Sequence, residues 1–252
     1  LEDYFKPFME KNLLVTSADV QHMRQTLAKK VKQSFQDGTL GNLPEQGMNY
    51  LLYKIATQVL ENYLKQQQTA DEMPLRILKL EQVMETQLAV PVNGETITVK
   101  IAGKADRIDQ SGSTIRVIDY KTGLVRAPDL KITPEEMDTH FLTNRHYDKV
   151  RQLWLYRYLM AKQLQADGKL NDSLFPVQIE AGIISFRNLN AGVLMPDMQI
   201  NENKNDLPEF IQTSEKYLRE FVQQMLDPTQ PIRKTHDLEV CQYCPYRGIC
   251  AR

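Results

Sequence analysis

Two aspartates and a lysine stand out in the segment GKADRIDQSGSTIRVIDYKTG, which spans residues 103–123. Alternate residues of a β-strand share a face, so Asp119 and Lys121 are predicted to point the same way. A turn near Gly112 pairs residues whose numbers sum to about 225, which places Asp106 across from Asp119 on the neighbouring strand. Carboxylates that face each other repel, so their approach predicts a hard divalent cation between them, Mg²⁺ or Mn²⁺.

Lys121 and the pair Gln152 and Tyr156 extend this prediction, although each has an ordinary alternative. An ammonium beside the carboxylates would face a phosphate or a water molecule, but Asp and Lys at a solvated strand end also form plain ion pairs. Gln152 and Tyr156 are a helical turn apart on a predicted helix and so share one face. Alone, such a pair indicates a surface hydrogen bond or a half-buried packing contact. The combination of all these residues favours a functional site.

The order of these residues resembles the active-site pattern of the PD-(D/E)XK nucleases: Asp106, then Asp119, Tyr120 and Lys121, then Gln152 and Tyr156. The similarity is to the RecB-like branch, with its signatures G-x-x-D-R-I-D, D-Y-K-T-G and Q-x-x-x-Y. The strong motifs cover residues 103–123 and 152–156, and weaker similarity extends over most of the chain. The resemblance implies a restriction-endonuclease-like core and a metal-dependent DNA nuclease.

The resemblance also implies roles for the residues of the D-Y-K motif. Asp106 and Asp119 would bind the metal ion together with the main-chain carbonyl of Tyr120. Lys121 would orient or deprotonate the attacking water and stabilise the pentavalent phosphate. These residues are therefore the expected catalytic and metal-binding centre.

Further residues are expected to complete this centre. In such nucleases an acidic residue on the strand before Asp106 often adds a metal ligand, and Glu81 is favoured over Glu85, although either is equally a solvated strand residue. Gln152 and Tyr156 resemble residues that hold the lysine and the DNA backbone in place. Basic side chains that could follow phosphates along the substrate lie between the D-Y-K motif and the predicted helix: Arg126, Lys131, Arg145, Lys149 and Arg151.

All three cysteines lie near the end of the chain, as Cys241, Cys244 and Cys250 in CQYCPYRGIC. This spacing predicts a metal site, and His236 could supply the fourth ligand of a tetrahedral zinc. The alternative comes from resemblance, because AddB-type helicase–nucleases end with the same triplet. In those proteins a fourth cysteine far upstream completes a 4Fe–4S cluster. No fourth cysteine is present here, so free thiols are the expectation for this chain, and the cluster is expected only in a full-length parent.

The opening LEDYF resembles the segment after the G-x-x-x-H-x-x-L-E motif of the same family, whose histidine is a further metal ligand. That histidine would lie just before Leu1. The expectation is therefore a C-terminal piece of a longer AddB-like protein, inactive on its own if the missing ligand is essential. The expected partners are DNA and a helicase subunit or domain of the parent.

The elements that must position these residues follow from periodicity and turn signals. Helical spacing of apolar residues predicts four main helices, at about 17–35, 45–68, 148–164 and 208–226. Strand patterns predict a three-stranded antiparallel meander over residues 75–123, and a further strand at 179–186. The charged connection of about 25 residues after the meander is predicted to be functional or mobile because of its length. This order suits one α/β domain, bordering on α+β, with a small mixed sheet flanked by helices.

Composition excludes several classes of protein. The chain has 252 residues, 42% hydrophobic and 25% charged, which is typical of a globular domain and not of a disordered or fibrous chain. A net charge of −1 gives no overall attraction to polyanions, so any contact with nucleic acid must be local. No apolar run approaches the ~20 residues that span a bilayer, and no signal region opens the chain. The prediction is a soluble, cytoplasmic protein with no membrane partner.

The sequence therefore predicts three parts: an N-terminal helical part at residues 1–70 that packs on the core, a nuclease core at 71–230, and a cysteine-containing tail at 231–252. The predicted activity is Mg²⁺- or Mn²⁺-dependent DNA hydrolysis, in the manner of RecB-like exonucleases that act in double-strand-break repair. One rival is a catalytically silent nuclease fold that serves as a scaffold for DNA or a helicase. Another is an isolated endonuclease of mobile-element or CRISPR-adaptation type.

Overall fold

The computed structural model of the chain describes residues 1–37, 47–139, 141–170, 178–198, 206–229, 234, 238–242 and 244–251. Within these residues the helices are α1 (Glu2–Glu10), α2 (Ser17–Asp37), α3 (Met48–Gln68), α4 (Pro134–Thr139), α5 (Asp148–Ala166), α6 (Leu207–Leu226) and α7 (Leu238–Cys241). The strands are β1 (Leu14–Val15), β2 (Leu75–Val92), β3 (Glu95–Ser111), β4 (Thr114–Lys121), β5 (Gln178–Ser185) and β6 (Val193–Leu194). None of these helices is long and apolar enough to cross a membrane.

The strands form one mixed sheet in the order β1-β2-β3-β4-β5-β6. All neighbours are antiparallel except β4 and β5, which run parallel and are joined through α5. A parallel pair needs a crossover connection, and the long segment between these strands supplies it. The predicted class, a small mixed sheet with a three-stranded meander flanked by helices, is confirmed.

The predicted register of the meander is confirmed as far as the ladder extends. Arg107 pairs with Ile118 and Asp109 with Arg116, so the paired numbers sum to 225 as expected. The ladder ends there, one residue short of the predicted pair Asp106 and Asp119. Beyond that point a hydrogen bond to a side chain joins the two strands: the carboxylate of Asp106 accepts the main-chain N–H of Tyr120.

Two hydrophobic clusters cover the two faces of the sheet, and strand β4 alternates between them. Ile115 and Val117 pack in the cluster formed with α5 and α6. Ile118 packs in the cluster formed with α1, α2 and α3, and Tyr120 lies against it. The same alternation leaves Asp119 on the α5 side, at the point where β4 leaves the core. The predicted shared face of Ile115, Val117 and Asp119 is therefore present.

The length of the connection between β4 and α5 predicts a functional or mobile segment, but much of it is part of the core. It contains the 3-10 helices Ala127–Leu130 and Arg145–Tyr147 as well as α4. Its apolar side chains are buried at Val125, Leu130, Ile132, Met137, Phe141 and Tyr147. These residues follow no helix or strand period over a long enough window to give a signal in the sequence. Burial of these large side chains ties the connection to the core.

Inside the sheet lies a chain of charged side chains that are almost entirely shielded from solvent. Arg107 and Asp109 are both 0% exposed, and Arg116 is 3% exposed. The Nε of Arg107 lies 2.8 Å from Oδ2 of Asp109, without the geometry of a hydrogen bond. The Nε of Arg116 donates to Oδ1 of the same carboxylate at 2.7 Å. One buried anion thus stands between two buried cations, and the arrangement holds β3 against β4.

Replacing this central anion should destabilise the protein strongly. We expect Asp109→Asn to lower the free energy of unfolding by ~3–5 kcal/mol, because it leaves buried cations without their counter-charge. Glu85→Gln is the matched control, since Glu85 pairs with Lys100 at the surface and such pairs contribute less than ~1 kcal/mol. Urea unfolding at constant slope measures both variants. Equal stability of the two would contradict the assigned role of Asp109.

Candidate active site

The carboxylates of Asp106 and Asp119 lie at the end of the β3–β4 ladder. Oδ2 of Asp106 accepts a hydrogen bond of 2.7 Å from the main-chain N–H of Tyr120. Asp119 precedes Tyr120 on β4 and is 5% exposed. The bond therefore holds Asp106 beside the peptide that links Asp119 to Tyr120, and it brings the two predicted aspartates together.

Asp119 is held by Gln152 and Lys121, and the hydroxyl of Tyr156 lies 3.5 Å from its Oδ1. Its Oδ1 accepts a hydrogen bond of 2.8 Å from Nε2 of Gln152 on α5. Its Oδ2 lies 2.8 Å from Nζ of Lys121, an ion-pair distance without hydrogen-bond geometry. Oδ2 is thus a buried carboxylate oxygen with no hydrogen bond, and such atoms are rare unless a ligand completes them.

Gln152 and Tyr156 share a face of α5, as predicted, and they point at the aspartate. Nε2 of Gln152 is 2.8 Å from the hydroxyl of Tyr156, which in turn donates to the carbonyl of Lys104 on β3. Within the described part of the chain, neither side chain forms a hydrogen bond with Lys121, where the resemblance implied support of the lysine. The pair instead fixes Asp119 between α5 and β3.

Gly103 allows α5 to approach β3 this closely. A Cβ at this position would lie 3.0 Å from Cε1 of Tyr156 and 3.2 Å from Cδ1 of Leu159. A larger residue would push the Tyr156 ring away from the strand, and the Tyr156 hydroxyl would lose the Lys104 carbonyl. The glycine of G-x-x-D-R-I-D is thus a packing requirement of the site.

Glu81 and Glu85 differ in their relation to the aspartates. Leu80 pairs with Arg107 and Gln82 with Ala105, so Glu81 lies opposite Asp106, whereas Glu85 pairs with Ala102 further along the hairpin. Glu81 also has a left-handed backbone, with φ 48°. A non-glycine residue in that region is strained, and such strain is concentrated at functional positions. These observations support the preference for Glu81.

The electrostatics of the site reflect the crowding of its carboxylates. Burial raises the pKa of Asp106, the hydrogen bond from the Tyr120 amide lowers it, and the charges of Asp119 and Glu81 raise it again, with a net increase. Burial also raises the pKa of Tyr156 to about 12. Tyr156 therefore stays protonated at neutral pH and remains a donor to the β3 carbonyl.

The residues present fit a hard divalent cation, although no complete set of ligands is formed. Within the described ranges, no three His, Cys, Asp or Glu side chains are grouped closely enough to hold a metal ion as they stand. Glu81 is turned towards Lys104, with Oε2 and Nζ 2.6 Å apart. The buried Oδ2 of Asp119 has no hydrogen bond, and carboxylate oxygens such as those of Asp119, Asp106 and Glu81 are the ligands that Mg²⁺ and Mn²⁺ prefer.

Nothing in the sequence singles out Ser185, which supports the loop that follows the D-Y-K motif. Ser185 ends β5 and is fully buried. Its hydroxyl donates to the carbonyl of Gly123 at 2.9 Å and accepts the amide of Val125 at 3.2 Å. A lone serine at the end of an apolar strand carries no motif, and only the parallel pairing of β4 with β5 reveals its role.

Several of the basic residues considered as phosphate contacts already have partners in the protein. Arg151 donates to the carbonyls of Phe141 and Asn144 and pairs with Asp148, so it closes the turn before α5. Lys131 lies 3.7 Å from Asp197, and Arg145 lies 3.5 Å from Glu239. Arg151 is therefore a structural residue, and the other two pairs are open to solvent and weak.

The three cysteines lie in the tail, and none forms a disulfide bond. Each is partly exposed, and no metal-binding group that includes them is found in the part of the chain that the structure describes. His236, the possible fourth zinc ligand, lies outside the described residues. Whether the triplet binds zinc, a 4Fe–4S cluster or no metal stays a matter of prediction.

Comparison with known proteins gives a family match over nearly the whole chain. A family model for the PD-(D/E)XK nuclease superfamily matches residues 1–251. A solved structure described as "Crystal structure of SSO0001" aligns with 90% of this chain and 96% of its own, at 13% sequence identity and a TM-score of 0.24. Those values are too low to support a conclusion about fold or function. No curated protein matches the sequence.

Metal titration distinguishes the proposed ligands from their neighbours. We expect Asp106→Asn and Asp119→Asn each to raise the Mn²⁺ midpoint by well over tenfold, because even outer-shell partners of a metal change its affinity by about 10–100-fold. Glu81→Gln should weaken binding less, and Glu85→Gln should leave it unchanged. Isothermal titration calorimetry provides the midpoints. An unchanged midpoint in either aspartate variant would contradict the assignment.

Although Asp106→Asn should weaken metal binding, it should stabilise the metal-free protein. A carboxyl whose pKa is raised on folding makes the protein less stable as the pH rises through that pKa, since the folded state holds the proton more tightly. In EDTA at pH 7 the variant should therefore melt at a higher temperature than the wild type. The difference should vanish as the pH falls from the raised pKa of Asp106 to below the ordinary value. A lower melting temperature for the variant in EDTA at pH 7 would show that the carboxylate is net stabilising.

Proposed function

The chain belongs to the PD-(D/E)XK nuclease superfamily, and from this we propose that it is a metal-dependent deoxyribonuclease that hydrolyses phosphodiester bonds. The superfamily suggests a nuclease with DNA as substrate, and its members generally use Mg²⁺ or Mn²⁺. One observation carries the proposal for this chain. The buried Oδ2 of Asp119 has no hydrogen bond, and it lies beside both Lys121 and the carboxylate-bearing end of β3.

Asp106 and Asp119 would hold the cation with the carbonyl of Tyr120, and Glu81 would complete the set after leaving Lys104. A bound divalent cation supplies positive charge that offsets the charge developing on the phosphate. The hydrogen bond from the Tyr120 amide keeps Asp106 in place before any ligand arrives. Such preorganisation avoids the cost of moving charged groups during the reaction.

Lys121 is the residue proposed to act on the reacting atoms. Its ammonium lies at the exposed end of β4, with one third of the side chain accessible to solvent. From there it can orient the attacking water and stabilise the additional negative charge on the phosphorus oxygens. A phosphodiester resists attack through its own negative charge, so this stabilisation is the main requirement of the reaction.

Gln152 and Tyr156 would act by positioning. Gln152 fixes Oδ1 of Asp119, and Oδ2, which lies 2.8 Å from Nζ of Lys121, is the oxygen that would face the cation. Tyr156 fixes Gln152 and binds the strand that carries Asp106. Side chains of α5 thus contact both Asp119 and the strand that carries Asp106. The packing of α5 on the sheet would therefore help to set the distance between the two aspartates.

The motif order supports a more specific proposal. The G-x-x-D-R-I-D, D-Y-K-T-G and Q-x-x-x-Y signatures resemble RecB-like exonucleases, and the C-terminal cysteine triplet resembles AddB-type helicase–nucleases. On that basis we propose an exonuclease domain that works with a helicase in double-strand-break repair. Its parts would be the helical residues 1–70, the nuclease core 71–230 and the tail 231–252, with a 4Fe–4S cluster at Cys241, Cys244 and Cys250 of the full-length protein.

Substitution of Lys121 tests the proposed reaction. We expect Lys121→Ala to lower kcat on labelled DNA by about 10²–10³-fold, as when one charge-stabilising donor is removed, while KM changes little. Lys100→Ala is the control, because Lys100 pairs with Glu85 at the surface of the hairpin. Both variants and the wild type are assayed as the native protein, with Mn²⁺, on linear and circular single strands.

Each outcome has a distinct meaning. Digestion of linear but not circular strands supports an exonuclease, and cleavage of both indicates an endonuclease. A rise in KM that accounts for the whole loss in Lys121→Ala would make this residue a phosphate anchor instead. A full-length wild-type protein that binds Mn²⁺ and DNA but cleaves neither substrate would support the catalytically silent scaffold.

A further inference from the structure

We propose that Arg107 is a positioning residue for the active site, which it reaches through the hydroxyl of Tyr120 from the opposite face of the sheet. The inference rests on the proposed function, because it concerns the same strand end. Arg107 lies between Asp106 and Ile108, but its side chain points away from the aspartates and into the cluster formed with α1, α2 and α3. It touches none of the proposed metal ligands with its side chain except Tyr120, whose carbonyl is one of them.

The guanidinium of Arg107 is fully buried and gathers polar groups from several elements. Its Nη1 donates to the hydroxyl of Tyr120 at 2.8 Å and to the hydroxyl of Tyr63 at 2.7 Å. A longer contact of 3.3 Å reaches Oε1 of Gln67. Hydrogen bonds from a charged donor are stronger than those between neutral groups, so these contacts fix the position of each hydroxyl.

Tyr120 connects this buried cluster to the active site within a single residue. Its hydroxyl lies on the Arg107 side of the sheet, whereas its main-chain amide donates to Asp106 on the other side. The ring is held between Phe186, which stacks on it at 5.5 Å, and Tyr63, which meets it edge-on at 5.8 Å. A side chain fixed at both ring and hydroxyl leaves its own backbone little freedom to move.

The charge of Arg107 is balanced without the help of the active site. Asp109 lies against its Nε and is shared with Arg116, which also lies 3.4 Å from the carboxylate of Glu72, so two carboxylates stand against two guanidinium groups. Burial raises the pKa of Tyr120 well above its ordinary value, so the hydroxyl remains neutral beside the cation. The counter-charge of Arg107 therefore does not come from the active-site carboxylates.

Stability alone does not account for a buried charge at this place. Hydrophobic side chains of similar volume often serve a protein core as well as a buried ion pair or better. An apolar residue cannot fix the orientation of a neighbouring side chain, because packing contacts allow small shifts that a short charged hydrogen bond opposes. Metal ligands need a fixed orientation, because loss of the contacts that support them lowers metal affinity by about 10–100-fold.

Two tyrosine variants separate positioning from general packing. Tyr120→Phe removes the hydroxyl that links Arg107 to the active-site strand, and Tyr63→Phe removes the other hydroxyl bound to the same Nη1. Both keep their rings, and both lose the bond of 3.0 Å between the two hydroxyls. Only Tyr120 carries the amide that binds Asp106, so only Tyr120→Phe should disturb the site.

We expect the main-chain amide of residue 120 to exchange with solvent about tenfold faster in Tyr120→Phe than in the wild type. The two metal-free proteins are compared under conditions that give them the same free energy of unfolding. The Mn²⁺ midpoint of that variant should rise by about tenfold, within the range for supporting contacts. Tyr63→Phe should lower the melting temperature similarly but leave the exchange rate and the midpoint close to those of the wild type. Hydrogen exchange by NMR and calorimetric titration provide these values.

Equal behaviour of the two variants in exchange and in Mn²⁺ midpoint would overturn the inference and make the cluster ordinary core. Wild-type values for both quantities in Tyr120→Phe would overturn it too. The exchange measurement needs neither metal nor DNA, so it decides whether the Arg107–Tyr120 bond holds this backbone even if the wild type fails to bind Mn²⁺. Failure of the proposed function would be recognised separately, from the wild-type titration and cleavage.

Discussion

A guanidinium enclosed by protein must be neutralised and hydrogen-bonded by its neighbours, and this requirement fixes much of the architecture around Arg107. The two tyrosine hydroxyls and the Asp109 carboxylate that meet it come from α3, β4 and β3. The hydroxyls accept hydrogen bonds from Nη1 and the carboxylate supplies the counter-charge at Nε, so removing one of these groups from a buried charge would cost a large part of a domain's total stability. Helix α3 and the sheet are therefore joined by polar contacts as well as by apolar packing.

Strand β4 shows how one short segment can serve two surroundings. Its successive side chains face a helical layer on each side, and every residue from Ile115 to Asp119 is buried. At its end the strand passes from apolar residues to a carboxylate and then to a lysine, so the charged groups emerge where the core stops. Asp119 is shielded from water, whereas Lys121 is partly exposed to it. The shielding of Asp119 strengthens the electrostatic interaction between the two side chains.

Much of this arrangement was predictable from the sequence because it depends on period and spacing. Alternation placed Asp119 on the same face as Ile115 and Val117, and the turn at Gly112 gave the register of β3 and β4. The helix that carries Gln152 and the strand β5 were also expected, but the parallel pairing of β5 with β4 was not. Motifs of this kind report local geometry that neighbouring residues determine between them.

Other features depend on contacts between distant parts of the chain and left no local signal. The strands β1 and β6 have two residues each, too few for any period. The left-handed backbone of Glu81 and the cluster around Arg107 are set by tertiary packing. The hairpin of β2 and β3 has a further consequence, because both its strands are far longer than β4 and project beyond it. Such bare strand edges invite pairing with another chain and aggregation. Here Pro91 lacks an amide, side chains of α6 occupy the carbonyls of Ala89 and Pro91, and charged Glu–Lys pairs line the exposed surface, so the hairpin is protected against edge-to-edge association.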